Sequence, residues 1–161
     1  VTLVSTAAKG SGSGAVGAYA AAQYSQSVGQ AITTSSNTIL VLDTIDSTDG
    51  TGSSAFSLNT GTGVVTINRA GFLVVVGMVS FTATIAASQV VFASLVHSAY
   101  ATEIRAYGSP SNLVGAGSGL AVPWGLKVSA NDTIKLQTFQ SSGSSRTTAG
   151  VKLILELLAS S

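Results

Sequence analysis

The stretch "FLVVVGMVSF", residues 72 to 81, limits the folds open to this chain more than any other. Successive side chains leave a strand in opposite directions, so Phe72, Val74, Val76 and Met78 share one face and Leu73, Val75, Val79 and Phe81 share the other. Both sets are apolar, and each needs cover. In an antiparallel sandwich one face meets the core and the other meets water. The second set therefore requires a further layer of the same chain or a neighbouring subunit. Composition favours the neighbour: charged residues make up 8% of the chain, against roughly 25% in ordinary soluble domains, while hydrophobic residues make up 45%. Charged side chains are depleted at the cores of protein interfaces, so a chain this poor in charge is expected to be a subunit of an assembly.

The 161 residues amount to one domain, long enough to bury a core without staples. Residues 1–37 are rich in Gly, Ala, Ser and Gln and keep no sustained period of 2 or 3.6, so they read as an extended N-terminal arm. From Thr38 onward, runs of β-branched and aromatic residues alternate with turn formers, which predicts an all-β sandwich over 38–161. Besides the stretch above, extended to Ile85, the runs are 38–44, 55–59, 63–68, 90–98, 100–108, 119–128, 132–139 and 151–158. In the last of them Val151, Leu153, Leu155 and Leu157 fall on one face and Lys152 and Glu156 on the other, the pattern of a half-buried strand.

Several function classes are disfavoured. A net charge of +1, from seven basic and six acidic residues with no basic run, gives no footprint for nucleic acid. The longest apolar stretch falls far short of the roughly 20 residues a membrane helix needs, so no membrane partner is expected. With no cysteine there is neither a disulfide nor a thiolate metal site.

"AFSLNTGTGVVTINRAGFLVVVGMVSF" resembles the central segment of C1q-like and tumour-necrosis-factor-like jelly rolls. Phe56 matches the leading aromatic, Gly63 the turn glycine, and Ala70-Gly71-Phe72 the Gly-aromatic pair that opens a long apolar strand, with Phe where Tyr is commoner. "LKVSANDTIKLQTF" is similar to the family's late strand-turn-strand segment, with Asn131 where Gly is usual. "AGVKLILELL" resembles the closing strand without the family's Phe-x-Gly lead. The resemblance spans about Thr38 to Leu158 and implies an antiparallel jelly roll forming a homotrimer about a threefold axis. The doubly apolar strand would then be covered by its trimer mates. Leu73, Val75, Val79 and Phe81 are assigned to that interface.

Candidate chemistry is sparse. "GSGAVG", Gly12 to Gly17, matches the dinucleotide fingerprint, but Ser5 to Gly10 separate it from the preceding apolar run and all that follows is β, so no cofactor is expected. His97, the one histidine, shares a face with Val91, Ala93 and Leu95 and reads as a packed residue, not a catalytic one. Asp43, Asp46 and Asp49 in "DTIDSTDG" are weak calcium candidates, set against ordinary turn chemistry. Glu103 and Arg105 share a strand face and suggest an ion pair, and Arg69 a solvated or carbonyl-bound turn cation. Pro123 marks an edge or bulge beside Trp124, which reads as core or interface packing before a surface anchor. Tyr19 and Tyr24 stand out on a small-residue arm as anchors for a groove on another subunit.

These features point to a non-enzymatic structural protein of a phage virion, a trimeric capsid decoration or head-fibre component. Its arm would attach it to a major capsid or other virion protein. The alternative is a C1q-like trimeric recognition head at a cell, spore or filament surface, binding a glycan or protein through its loops.

Overall fold

A computed structural model describes residues 19–50, 52–82, 89–100, 104–107 and 119–158. In chain order the strands are β1 (Tyr19–Ser25), β2 (Ala31–Ile32), β3 (Thr38–Ile39), β4 (Thr44–Gly50), β5 (Phe56–Asn59), β6 (Val64–Ile67), β7 (Gly71–Phe81), β8 (Val91–His97), β9 (Ile104–Tyr107), β10 (Leu120–Val128), β11 (Thr133–Gln140) and β12 (Arg146–Leu158). One helical turn, α1 (Gly52–Ala55), precedes β5. The strands form two six-stranded antiparallel sheets. One runs β10-β7-β12-β1-β4, with β2 joined to β12; the other runs β5-β6-β11-β8-β9, with β3 joined to β11.

Alternating side chains fill the space between the sheets. β7 contributes Leu73, Val75, Val79 and Phe81, β12 contributes Leu153 and Leu155, and β8 and β11 answer with Leu95, Ile134 and Leu136, all buried. At Gly77 a Cβ would stand 2.5 Å from Leu136 Cδ1 and 3.2 Å from both Leu95 Cδ2 and Val122 Cγ1. The glycine lets the opposite sheet close onto β7 at mid-strand.

Two sequence expectations need correction here. The boundary at residue 37 does not separate an arm from the sandwich, because β1 lies within the first sheet between β12 and β4. Its inward side chains Ala20, Ala22 and Tyr24 belong to the core. The run 38–44 is not one strand either. Thr38–Ile39 pairs with β11, and the chain then crosses to the other sheet through the buried Leu40 and Leu42, with Leu40 N–H donating to Leu136 O (2.9 Å) and Asp43 N–H to Ser25 O (3.0 Å). Gly63, at φ 69°, lies so close under residues 40–42 that any side chain would meet their backbone.

The turn expected before the penultimate long strand is present. Asn131 sits at φ 72°, where the family's glycine would be unstrained, and Asp132 Oδ2 accepts from Ser129 N–H at 2.7 Å to close the loop between β10 and β11.

Candidate assembly face

The outward face of the first sheet can be read directly from its registers. Lys127, Phe72, Leu158 and Tyr19 lie in one row across β10, β7, β12 and β1. Gly125, Val74, Glu156 and Ala21 form the next, then Pro123, Val76, Ile154 and Gln23, then Ala121, Met78, Lys152 and Ser25. An apolar band therefore runs along β7 and its neighbours. Within it Phe72, Val74, Met78 and Leu158 remain 43%, 37%, 42% and 47% exposed.

This reverses the assignment of Leu73, Val75, Val79 and Phe81 to an interface. They are at most 1% exposed and occupied by the chain's own core, so they present nothing to a neighbour. The set left open is Phe72, Val74, Val76 and Met78. A signal for this was present in the sequence: Gly77 has the same parity as Leu73 and Val75, and a mid-strand glycine marks the side on which another backbone or side chain comes close.

Several polar groups beside the band find partners within the chain. Asp46 on β4 accepts from Gln23 Nε2 (2.9 Å) and Ser25 Oγ (2.6 Å) and lies 3.8 Å from Lys152 Nζ. Those hydrogen bonds, with the lysine adding to them, hold its carboxyl below the usual range. At the other end Tyr19 faces Glu156; partial burial and then the nearby carboxylates push its phenol above 10.0.

The other candidates resolve as follows. Tyr19 does sit on the open face, but Tyr24 is 2% exposed within its own sandwich and anchors β1 rather than a second subunit. Asp43, Asp46 and Asp49 do not converge. Asp43 accepts from Ser27 N–H (2.8 Å) and Ser27 Oγ (2.6 Å), Asp46 is engaged as above, and Asp49 accepts from Gly50 N–H. Among the described residues no group of three or more His, Asp or Glu side chains is gathered as metal ligands would be. Arg69 donates to Ser54 Oγ at 2.8 Å, and Arg105 lies over the Phe92 ring at 4.5 Å. Glu103 and the glycines at 12 to 17 fall outside the described residues. Pro123 lies on the edge strand β10, and Trp124 beside it is half-buried against the core.

Beyond one end of the band lies a cleft of about 570 Å³, lined among others by Phe72, Leu158, Tyr100, Lys127, Ser129 and Asp132. Its location was not legible from the sequence, since it joins four separate loops and strand ends. Beneath Tyr100 is His97, 1% exposed, its ring 5.0 Å from that of Tyr100 and 6.2 Å, edge-on, from that of Trp124.

Two packed antiparallel sheets with this strand order and this closing strand define a jelly roll of the C1q and tumour-necrosis-factor kind. No sequence-family model matches the chain, and no curated protein does. Solved structures supply the comparison. The chain is similar to PRD1 vertex protein P5, at 12% identity and a TM-score of 0.63 over 91% of this chain and 100% of that one. It is also similar to Eiger TNF from S. frugiperda (11% identity, TM-score 0.56, 89% and 95% covered). The globular domain of zebrafish complement 1qA gives 13% identity and a TM-score of 0.56 over 86% and 95%. At such identities the likeness is one of fold.

Proposed function

We propose that this chain is a trimeric, non-enzymatic subunit of a virion surface. It assembles through the outward face of the β10-β7-β12-β1-β4 sheet and attaches to a capsid partner through the Gly-, Ala- and Ser-rich segment that precedes β1. The observation that carries the reading is the open apolar band of Phe72, Val74, Val76, Met78, Ile154 and Leu158 on a charge-poor chain. Water leaves such a band exposed at a cost that a second and third copy would remove. The end-to-end likeness to a phage vertex protein supports the virion setting, and the trimer implied by the family resemblance supports the stoichiometry.

Solution mass by light scattering tests the first half: a trimer is expected, and a monomer across the accessible concentration range overturns it. Co-sedimentation with purified capsid shells, with and without residues 1–18, tests the second. Binding that survives removal of the segment refutes its role in attachment. Saturable glycan binding by the intact trimer, without shell binding, would favour the recognition-head alternative instead.

A further inference from the structure

We propose that protonation of His97 is an acid-sensitive release: it opens the turn at residues 97–100, moves the Tyr100 wall of the adjoining cleft, and so weakens assembly through the apolar band beside it. The coupling to assembly rests on the trimer reading above; the opening of the turn does not.

The geometry leaves this imidazole no comfortable way to become charged. Nδ1 accepts the Ala99 N–H at 3.1 Å, so in the closed turn it carries no proton of its own. Nε2 is buried and makes no hydrogen bond, although Asp132 Oδ2 lies 3.3 Å away, near enough for attraction but not aligned to accept. That carboxylate is already committed to Ser129 N–H. A second proton has to enter at Nδ1, where it would point at the Ala99 N–H, and two donors cannot share that line. The turn must then open. Tyr100, which packs on His97 and reaches Lys127 O through its hydroxyl (3.4 Å), moves with it. Tyr100 lines the same cleft as Phe72 and Leu158, two residues of the apolar band.

The groups facing His97 oppose its charging on balance. Asp132, from the loop before β11, favours the imidazolium, while burial disfavours it more strongly and pushes the imidazole below its ordinary 6.5. Lys127 of β10 lines the shared cleft and adds a positive charge. Lys135 of β11 pairs in register with Val96, and Arg105 of β9 with Ser94, on the opposite side of the sheet from His97. The inward residues of β7 and the strand β6 bring no titratable group. The folded protein thus takes up the proton less readily than the unfolded chain. The stability of the closed state is complete above pH 6.5 and falls as pH drops from there toward the folded pKa.

The chain has one histidine and one tryptophan, and they touch, so the test is direct. Trp124 fluorescence and the imidazole Cε1–H NMR signal of the intact wild-type chain would be followed from pH 8 to pH 4, with mass by light scattering at each step. Expected are one-proton transitions in both signals, centred below 6.5, with trimer lost over the same interval. His97→Gln should flatten the fluorescence transition and keep the trimer at low pH; Asp132→Asn should move the imidazole transition to lower pH. An imidazole that titrates at or above 6.5, or a Trp124 signal that does not follow it, overturns the release. Because the wild-type signals are read without mutation, a variant that fails to fold does not shield the proposal. A chain monomeric at pH 8 sinks the trimer reading, while the His97 transition stays readable. A trimer that persists through that transition overturns the coupling alone.

Discussion

Phe72 and Leu73 are adjacent on one strand, and the structure assigns them opposite energetic roles. Leu73 is fully buried, whereas Phe72 is 43% exposed and lies over Gly125, where a Cβ would come within 3.2 Å of its Cζ. A phenylalanine presents roughly 200 Å² of surface, so about 85 Å² of Phe72 remains for a neighbour to cover. At ~25 cal/mol per Å² that contributes about 2 kcal/mol per subunit. Three copies give about 6 kcal/mol, or roughly four orders of magnitude in the trimer association constant, as an upper figure. For a trimer the midpoint concentration varies as the inverse square root of that constant, so Phe72→Ser should raise the dissociation midpoint by up to about a hundredfold. Under conditions where both are monomeric, its melting temperature should stay close to that of the wild type. Leu73→Ala should do the reverse, losing about 2–5 kcal/mol of folding stability through the cavity it leaves. In a domain of this size the melting temperature would fall on the order of 10 °C. Light scattering on a dilution series and thermal melts at fixed concentration separate the two effects. If Phe72→Ser melts like Leu73→Ala and leaves the association midpoint unmoved, the assignment of faces is wrong.

Gly77→Ala introduces a methyl group 2.5 Å from Leu136 Cδ1 and should cost about 1–3 kcal/mol through overpacking; an unchanged urea midpoint refutes the close approach. Gln140 is fully buried, donates to Ile32 O (3.0 Å) and Ser144 O (2.9 Å), and accepts from Ser142 N–H (2.7 Å). Gln140→Ala strands those groups and should cost about 2–4 kcal/mol by chemical unfolding. Asp43, held below 3.8 by its hydrogen bonds from Ser27, contributes stability that is present above that pH and lost as pH falls through the folded value. Asp43→Asn should therefore flatten the acid limb of the melting curve between pH 2 and 4, and a limb of unchanged steepness counts against it. Trimer association, resting on an apolar band, should change little between about 0.05 and 0.5 M salt, and a steep salt dependence would reassign it to the bordering charges.

How much of this was legible varied with local physics. The segments 55–59, 63–68 and 132–139 announced themselves, because each is a short half-buried strand next to a turn former: the Gly63 turn, or the Asn131-Asp132 pair with its left-handed Asn131. β1 did not. "YAAAQYS" places Ala20, Ala22 and Tyr24 inward, and small inward side chains carry too weak an alternation to mark a strand; its place is fixed by pairing with β12 and β4 over nearly its whole length. β4 failed for the opposite reason. It is an edge strand with both faces largely in water, so "TIDSTDG" needs no apolar period and resembles a turn. The doubly apolar β7 could be recognised as needing two covers, but period alone cannot say which cover is internal. Only Gly77 broke that symmetry.

The arrangement of polar groups around the band bears on what the face is for. Lys152 and Glu156 flank Ile154 on β12, in the middle of the sheet, where an uncompensated charge would oppose any dry contact. Neither is left to find a partner on another molecule. Lys152 lies beside Asp46, whose oxygens are further held by Gln23 and Ser25, and Glu156 engages Tyr19. The charge-poor sequence thus places one ion pair, Lys152 with Asp46, and a Glu156 engaged by Tyr19 beside its most apolar surface. On this face Asp46 and Glu156 are engaged within the chain, and Phe72, Val74, Met78 and Leu158 are the groups that would gain if a neighbour removed water from it.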